Sequence, residues 1–329
     1  LALVYPLVAN FCPSCSHLKL GHHVSPDESY TNYFYNSSIT LGLNQNFVDY
    51  AIQLKDYHPS ASSLRILDVG SNDGSFLYAC QNHGFEAYGV EPASTLALAA
   101  NNNNIRTVNA YFDSDSLNNP DVWSIPHSFD VVSFNNVLAN LPSPYHSLLL
   151  AKSCLRSSNS FISVQSGYHP TQFSKGLFDY IYHEHYSYFN LKSLSTLASR
   201  CGLKIVSYSI SGLRGGSFRV FLAPLESDLY PEVSLPPERY ALASEYHGLN
   251  ALLSASIPTL HMSLSALKNH GCKVVGFGAS HSTGILVHHF GLVQFLDYLI
   301  DDNKLKHSLF MPGTSLRVNP LSKLLSDNQ

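Results

Sequence analysis

An α/β chain with a doubly wound parallel sheet and a second, smaller α/β unit is what this sequence predicts, and two observations predict it. The first is a βαβ unit in the middle of the chain: Leu64 to Val69 is a short apolar strand, Phe76 to His83 has helical spacing, and Glu86 to Val90 is a second apolar strand. A crossover of that length joins parallel strands. The second is a break at Leu225 to Pro237, rich in Pro, Glu and Ser. A long helical pattern (Tyr240 to Asn269) follows, then a strand–turn–strand pattern around Lys273 to Ala279 and Tyr298 to Asp302.

Each element follows from its own residues. Residues 1–43 form a lead-in with Cys12-Pro13-Ser14-Cys15, three histidines (His17, His22, His23) and the aromatics Tyr30, Tyr33, Phe34 and Tyr35. Phe47, Ala51, Ile52 and Leu54 recur at helical spacing, so a helix over 44–57 leads into the central domain. Leu96 to Asn102 reads as a helix, Ile105 to Asn109 and Phe129 to Phe134 as strands, Tyr145 to Arg156 as a helix, and Ser160 to Gln165 as a further strand. The alternation is expected to run to about residue 225, interrupted by an aromatic, histidine-rich insertion at 168–190. The domains are therefore 1–43, 44–225 and 226–329.

The 329 residues are 45% hydrophobic and carry 19 basic against 23 acidic side chains, a formal charge of −4. The chain can bury a full core. No basic run marks a nucleic-acid partner, and no apolar stretch reaches the roughly 18 residues that span a bilayer, so a cytoplasmic protein without nucleic-acid or membrane partners is expected. Cys12 and Cys15 form a pair, and Cys80, Cys154, Cys201 and Cys272 are scattered, which is not a disulfide framework. The pair is half of a four-cysteine zinc set, or two buried thiols.

The turn after the first central strand reads Asp68-Val69-Gly70-Ser71-Asn72-Asp73-Gly74. Glycines there let backbone N–H groups approach a ligand closely. About twenty residues on, Glu91 ends the next strand, where a carboxylate accepts from both hydroxyls of a ribose. Ser71 and Asn72 stand where a nicotinamide loop carries its later glycines, and no phosphate-binding Lys follows, so S-adenosylmethionine is favoured over NAD. The plain alternative is a tight structural turn with a solvated Glu. Asn135 and Asn136 close the fourth strand beside the same crevice.

Tyr182-His183-Glu184-His185-Tyr186 gathers titratable groups in the insertion and is the candidate active segment. A carbon nucleophile beside a carbonyl needs a base near neutral pH, a task suited to His with a Glu to orient it. His183 and His185 lack the spacing of helical zinc ligands, and packed aromatics in a lid are the plain alternative. Gly276-Phe277-Gly278-Ala279 ends a later strand as a phosphate cradle or a structural turn.

With these pieces in place, the chain resembles the sugar-nucleotide C-methyltransferases, which methylate C3 of an NDP-4-keto-deoxysugar. The resemblance runs nearly end to end. It rests on Cys12-Pro13-Ser14-Cys15, Tyr33-Phe34-Tyr35-Asn36-Ser37-Ser38, Asp68 to Gly74, Tyr182 to His185, Gly215-Gly216-Ser217-Phe218-Arg219, and Gly276 to Ala279 with Pro312-Gly313-Thr314.

The resemblance implies a Rossmann-like class I methyltransferase sheet, a zinc-type N-terminal module and a second Rossmann-like domain for the sugar nucleotide. It implies adenosylmethionine on Asp68, Gly70, Ser71, Asn72, Asp73, Gly74, Glu91, Asn135 and Asn136, with structural zinc at Cys12 and Cys15. His185 becomes the base that removes the C3 proton, Glu184 and Tyr182 position it or the sugar, and Tyr35 closes the site. Asn140, His183, Ser217, Arg219 and Gly278 fall to the substrate.

Two positions depart from the family's pattern: Ala139-Asn140 replaces Ala-His, and Ser280-His281-Ser282 replaces Ala-Lys-Gly. The first removes a proton relay or sugar contact, the second a cation for phosphate. A non-catalytic nucleotide-sugar-binding homologue and an O- or N-methyltransferase are the alternative readings.

Overall fold

Leu64-Arg65-Ile66-Leu67-Asp68-Val69 carries apolar side chains on both faces, the pattern of a strand covered on both sides. In the computed structural model, which describes residues 5–26, 43–57, 63–237 and 243–327, it is an interior strand of a seven-stranded sheet. Numbered along the chain, the strands are β3 (Leu64–Val69), β4 (Phe85–Val90), β5 (Arg106–Val108), β6 (Val131–Asn135), β7 (Phe161–Gly167), β9 (Leu203–Ser211) and β10 (Ser217–Pro224). Their spatial order is β5-β4-β3-β6-β7-β10-β9. The chain winds outward from β3 through β4 to β5, then returns to β6 and β7 on the other side. The direction therefore reverses between β3 and β6, and a crevice opens there at the carboxyl ends of the strands.

Helices α1 (Leu43–Asp56), α2 (Ser75–Asn82) and α3 (Ser94–Asn102) lie on one face of this sheet; α5 (Pro144–Ser153) and α7 (Leu191–Arg200) lie on the other, with α4 (Ser114–Asn118). On the first face Phe47, Tyr50 and Leu54 of α1 meet Phe76 and Leu77 of α2 over Ile66, Phe161 and Phe221. On the second, Leu148, Leu191 and Leu194 pack on Val132, Phe134 and Val164. Each such side chain withdrawn from water contributes about 1.5–3 kcal/mol. The helix expected over 44–57 is α1, one residue earlier at each end.

The sheet differs from the expected continuous βα alternation at its far edge. β3 to β7 are parallel, but β10 runs antiparallel to β7 and to β9. The hairpin between β9 and β10 turns through Gly212–Gly216, with Gly216 at φ 151°. A Cβ there would stand 2.7 Å from Thr171 Cβ, so the turn packs directly on α6 (His169–Ser174). A hairpin needs no crossover helix, and the sheet becomes mixed.

A second, three-stranded sheet joins two distant segments. β1 (Ala9–Phe11) pairs with β2 (Leu18–Leu20), and β2 pairs with β8 (Ser187–Tyr188) from the insertion, all antiparallel. The stretch after β10 turns back to the large sheet: Tyr230 is buried among the α1-side core, and the Val233 N–H donates to Ile205 O at 3.0 Å.

The C-terminal unit begins with α8 (Ala243–Asn269), which contains Pro258. It continues as β11 (Val275–Phe277), α9 (His281–His289), β12 (Tyr298–Ile300), β13 (Val318–Asn319) and α10 (Leu321–Asp327). β11, β12 and β13 are parallel, with a small core of Val287, Leu299, Met311, Leu316 and Val318. Among the described residues no helix is long and apolar enough to cross a membrane.

Candidate active site

The loop after β3 begins at the reversal point. Gly70 has φ +67°, and a Cβ on it would lie 2.7 Å from Val137 Cγ2, so the position demands glycine twice over. The Gly70 and Ser71 N–H groups donate to Val90 O, which ties the loop to the end of β4. Glu91, 6% exposed, accepts from Asn72 N at 2.9 Å and from Ala93 N at 2.8 Å. Its burial raises the carboxyl pKa. Each carboxylate oxygen carries two lone pairs, so one per oxygen remains for a hydroxyl donor. The Ser71 hydroxyl is enclosed and has no partner among the described residues. A ribose with two vicinal hydroxyls fits both features.

Asp68 points under the sheet, where it accepts from Ser133 Oγ; burial pushes its carboxyl up to about 8. Asp73 accepts from Ser75 N and Oγ and so caps the start of α2. Asn135 Oδ1 accepts from Gln165 Nε2 and Asn136 Nδ2, both at 3.0 Å, and Asn136 stands at φ +60°. That network continues to Arg219, whose guanidinium donates to Gln165 Oε1 and Gln53 Oε1 and lies 3.6 Å from the centre of the Tyr50 ring. Arg219 and Ser217 thus belong to β10 and the α1 side, where Ser217 Oγ donates to Leu213 O.

The insertion brings the second group together. His185 Nδ1 lies 3.0 Å from the Tyr180 carbonyl, which can only accept, so the proton sits on Nδ1 and Nε2 is the acceptor. The Tyr182 hydroxyl lies 3.1 Å from Nε2 and donates to it. Burial lowers the pKa of His185 to about 4, which keeps the ring neutral at physiological pH. Beside it, His169 is held between the hydroxyls of Tyr180 and Tyr246 and stacks on Tyr246 at 5.5 Å. His183 turns the other way, to the carbonyl of Pro6 and the ring of Tyr5. The 3₁₀ turn Leu138–Asn140 packs on both β7 and β8, and Asn140 Oδ1 is enclosed without a partner among the described residues.

The C-terminal unit reaches this group through α9. His281 Nε2 lies 2.9 Å from Glu184 Oε1, and its ring stacks on Tyr182 at 5.3 Å. The turn at Gly278 is braced from beneath: Ala279 N donates to Asp301 Oδ2, and Lys306 Nζ to Ala279 O and Asp301 Oδ2. In the N-terminal hairpin, Cys12 is lowered to about 6 by the Ser14 hydroxyl, and Cys15 is raised by burial. Among the described residues no three His, Cys, Asp or Glu side chains converge as a metal site. Tyr35 lies outside the described residues, as do Tyr30, Tyr33, Phe34, Asn36, Ser37 and Ser38.

Comparison with known proteins settles the class of the molecule. A family profile described as a methyltransferase domain matches residues 45–208, and one described as the C-methyltransferase C-terminal domain matches residues 212–329. The chain belongs to the C-methyltransferases. C-methyltransferase NovU from Streptomyces niveus is 27% identical over 323 residues, which cover 96% of this chain and 76% of that protein. Solved structures with similar folds include the magnesium protoporphyrin IX methyltransferase from Synechocystis PCC 6803 with bound SAM, at TM-score 0.43 and 13% identity over 59% of this chain and 87% of that one. Another is a SAM-dependent methyltransferase from Archaeoglobus fulgidus, at TM-score 0.42 and 18% identity over 54% and 94%. This C-methyltransferase is S-adenosylmethionine-dependent and has the Rossmann-like class I sheet with a mixed edge.

Several residues of this candidate site escape a reading of the C-methyltransferase's sequence. Gln165, Asn46 and Gln53 are uncharged amides on separate elements, and nothing in their spacing links them to Arg219. His169 and Tyr246 lie 77 positions apart. His281 reads as a lost cation, whereas in the fold it is the partner of Glu184.

Proposed function

We propose that this C-methyltransferase methylates C3 of an NDP-4-keto-deoxysugar, with His185 as the base that removes the C3 proton. The observation that carries this reading is the state of His185: a buried, neutral ring whose Nδ1 proton is fixed by the Tyr180 carbonyl, leaving the Nε2 lone pair as its only acceptor. The resemblance to sugar-nucleotide C-methyltransferases supplies the substrate class.

S-adenosylmethionine, when bound, supplies an electrophilic methyl group. The residues that would hold it are Glu91 and Ser71, with the loop from Gly70 to Gly74. His185 accepts the C3 proton at Nε2, the C–H electron pair becomes the C3–C4 double bond, and the carbonyl electrons move onto O4. The proton displaces the Tyr182 hydroxyl from Nε2. The imidazolium so formed keeps its hydrogen bond to Tyr180 O and lies close to the Glu184 carboxylate, which favours the charged ring. The enolate carbon is the nucleophile for the methyl group that S-adenosylmethionine would supply; the S–CH3 bonding pair would stay on sulfur and the O4 electrons would re-form the carbonyl, so no charge would be left on the sugar. Asn140, whose enclosed Oδ1 has no partner among the described residues, would receive a sugar hydroxyl. The sugar nucleotide extends toward Gly278 in the C-terminal unit. Zinc at Cys12 and Cys15 would be held by their two thiolates together with two further ligands.

The test is a mass-spectrometric assay of the purified protein with S-adenosylmethionine and an NDP-4-keto-6-deoxysugar, run in parallel with deuterium exchange at C3 in D2O. The expected result is one methyl gained on carbon and C3 exchange, both lost in His185→Ala. Exchange that persists in His185→Ala, or a methyl group on oxygen or nitrogen, overturns the reading.

A further inference from the structure

The insertion and the C-terminal unit meet along α9, and both ends of that helix make contact. At its start, Ser280 caps the helix in a reciprocal capping box with Thr283, which fixes the direction of His281, the first helical residue. At its end, His289 and Phe290 pack on Phe178, with ring centres 5.0 and 5.9 Å away. The helix therefore lies along the same segment that carries Tyr182, Glu184 and His185.

The contact at His281 is chemically specific. The Glu184 side chain is 12% exposed, and a carboxylate that deep is costly without a cation; His281 Nε2 lies 2.9 Å from it. The His281 side chain is 59% exposed, so water would serve it equally well elsewhere. It is the buried partner that selects the geometry. The same imidazole stacks on Tyr182 with the planes 16° apart, and the Tyr182 ring also packs on His185, with ring centres 4.2 Å apart. His281, Tyr182 and His185 thus form a run of three rings, with Glu184 tied to the outer one.

We propose that His281, carried by the C-terminal unit, is a positioning residue for proton removal: by pairing with Glu184 and stacking on Tyr182 it sets the Tyr182–His185 contact from across the domain boundary. The proposal rests on the reading of His185 as the base. It reinterprets the departure at position 281: the cation has not been lost but moved onto the carboxylate beside the base.

The charges around the pair give the proposal a pH signature. His281 faces Glu184, which raises its pKa through a hydrogen bond, and Lys306, which opposes the shift. His185 feels Glu184, which raises its pKa, and His281 and Arg214, which lower it. Below the raised pKa of His281 the ion pair holds; above it the pair is lost and Tyr182 loses its charged neighbour. The activity should therefore fall on the alkaline side with the titration of His281.

The experiment has two readouts on the full chain. In an imidazole ¹⁵N NMR titration, His281 should titrate above the ordinary histidine range and return to it in Glu184→Gln. In kcat–pH profiles, His281→Ala should lower kcat about tenfold and leave the affinity for S-adenosylmethionine unchanged, which also certifies folding. His281→Lys should restore most of kcat and move the alkaline limb up by at least two pH units, because a lysine stays charged to about pH 10. A helix that only braces the fold would lower stability without moving that limb. Titration of His281 that ignores Glu184→Gln, or a wild-type profile in His281→Ala, overturns the proposal. The NMR readout needs no turnover, so its outcome is independent of the role of His185, which falls if C3 exchange survives in His185→Ala.

Discussion

At the scale of single residues, water exclusion decides the chemistry. His185 stays neutral because its ring is buried, and the Tyr180 carbonyl dictates which nitrogen is bare. Removing it should therefore cost the whole of general-base catalysis, about 10²–10⁴-fold in kcat. Tyr182→Phe tests a finer point. If the substrate proton displaces the Tyr182 hydroxyl, the variant should lose only a few-fold in kcat; a loss as large as that of His185→Ala would mean that the proton passes through the phenol. Asp68 makes an opposite case, since burial raises its carboxyl from 3.8 to about 8. A raised carboxyl pKa means that stability is fully present below pH 3.8 and is lost as pH climbs toward 8, at about 1.4 kcal/mol per unit. Thermal melts of the ligand-free protein between pH 6.5 and 8 should show a fall in Tm that Asp68→Asn removes; parallel curves would refute it. These roles were only half legible in the sequence. Asp68 and His185 stood out by motif, but which proton each holds depends on Ser133, which lies on another strand, and on the Tyr180 carbonyl, a backbone group whose direction is set by the fold of the insertion.

At the scale of elements, the loop after β3 was legible because its requirements are local. Glycine, a strand end and an acidic residue one crossover later all sit in one stretch of chain, and the fold places Glu91 against the Asn72 N–H as that spacing requires. The local constraint predicts its own failure. Gly70→Ala must hold an L-residue at φ +67° and press a methyl on Val137, so a loss of about 1–2 kcal/mol is expected from the backbone alone, with contact strain added. Calorimetric titration with S-adenosylmethionine should show affinity weakened by at least tenfold, and Val137→Ala in the same chain should recover only the contact part. The β9–β10 hairpin was not legible in the same way. A strand's own residues say that it is a strand, but β10 pairs antiparallel with β7 across 50 to 60 positions, and that choice is made by the turn at Gly212–Gly216 packing on α6.

At the scale of the whole molecule, two distant parts of the chain converge on the insertion: β1 and β2 from the beginning, which build a sheet with its β8, and Tyr246 of α8 from the C-terminal unit. The sequence announced a histidine-rich, aromatic segment but not what would enclose it, because the enclosing residues come from distant elements with no spacing in common. The enclosure makes acid the weak point of the fold. His17 lies against Phe189, His169 is held by Tyr180 and Tyr246, and His185 is held by Tyr180; burial lowers all three to about 4. A depressed histidine pKa means that the unfolded chain takes up its proton first. The stability is therefore complete above pH 6.5 and is lost as pH falls toward 4, with three groups adding up to roughly 4 kcal/mol per pH unit at the steepest. The loss should begin locally, since all three rings adjoin the small sheet while the strands β3, β4 and β6 bury no titrating histidine. Hydrogen exchange at pH 5 should thus release the amides of Ser187 and Tyr188 well before those of Ile66 and Leu67, and His169→Gln should narrow the gap between pH 7 and pH 5. Simultaneous loss of protection in both sheets would instead mean that the insertion is as tightly coupled to the core as the central strands are to one another.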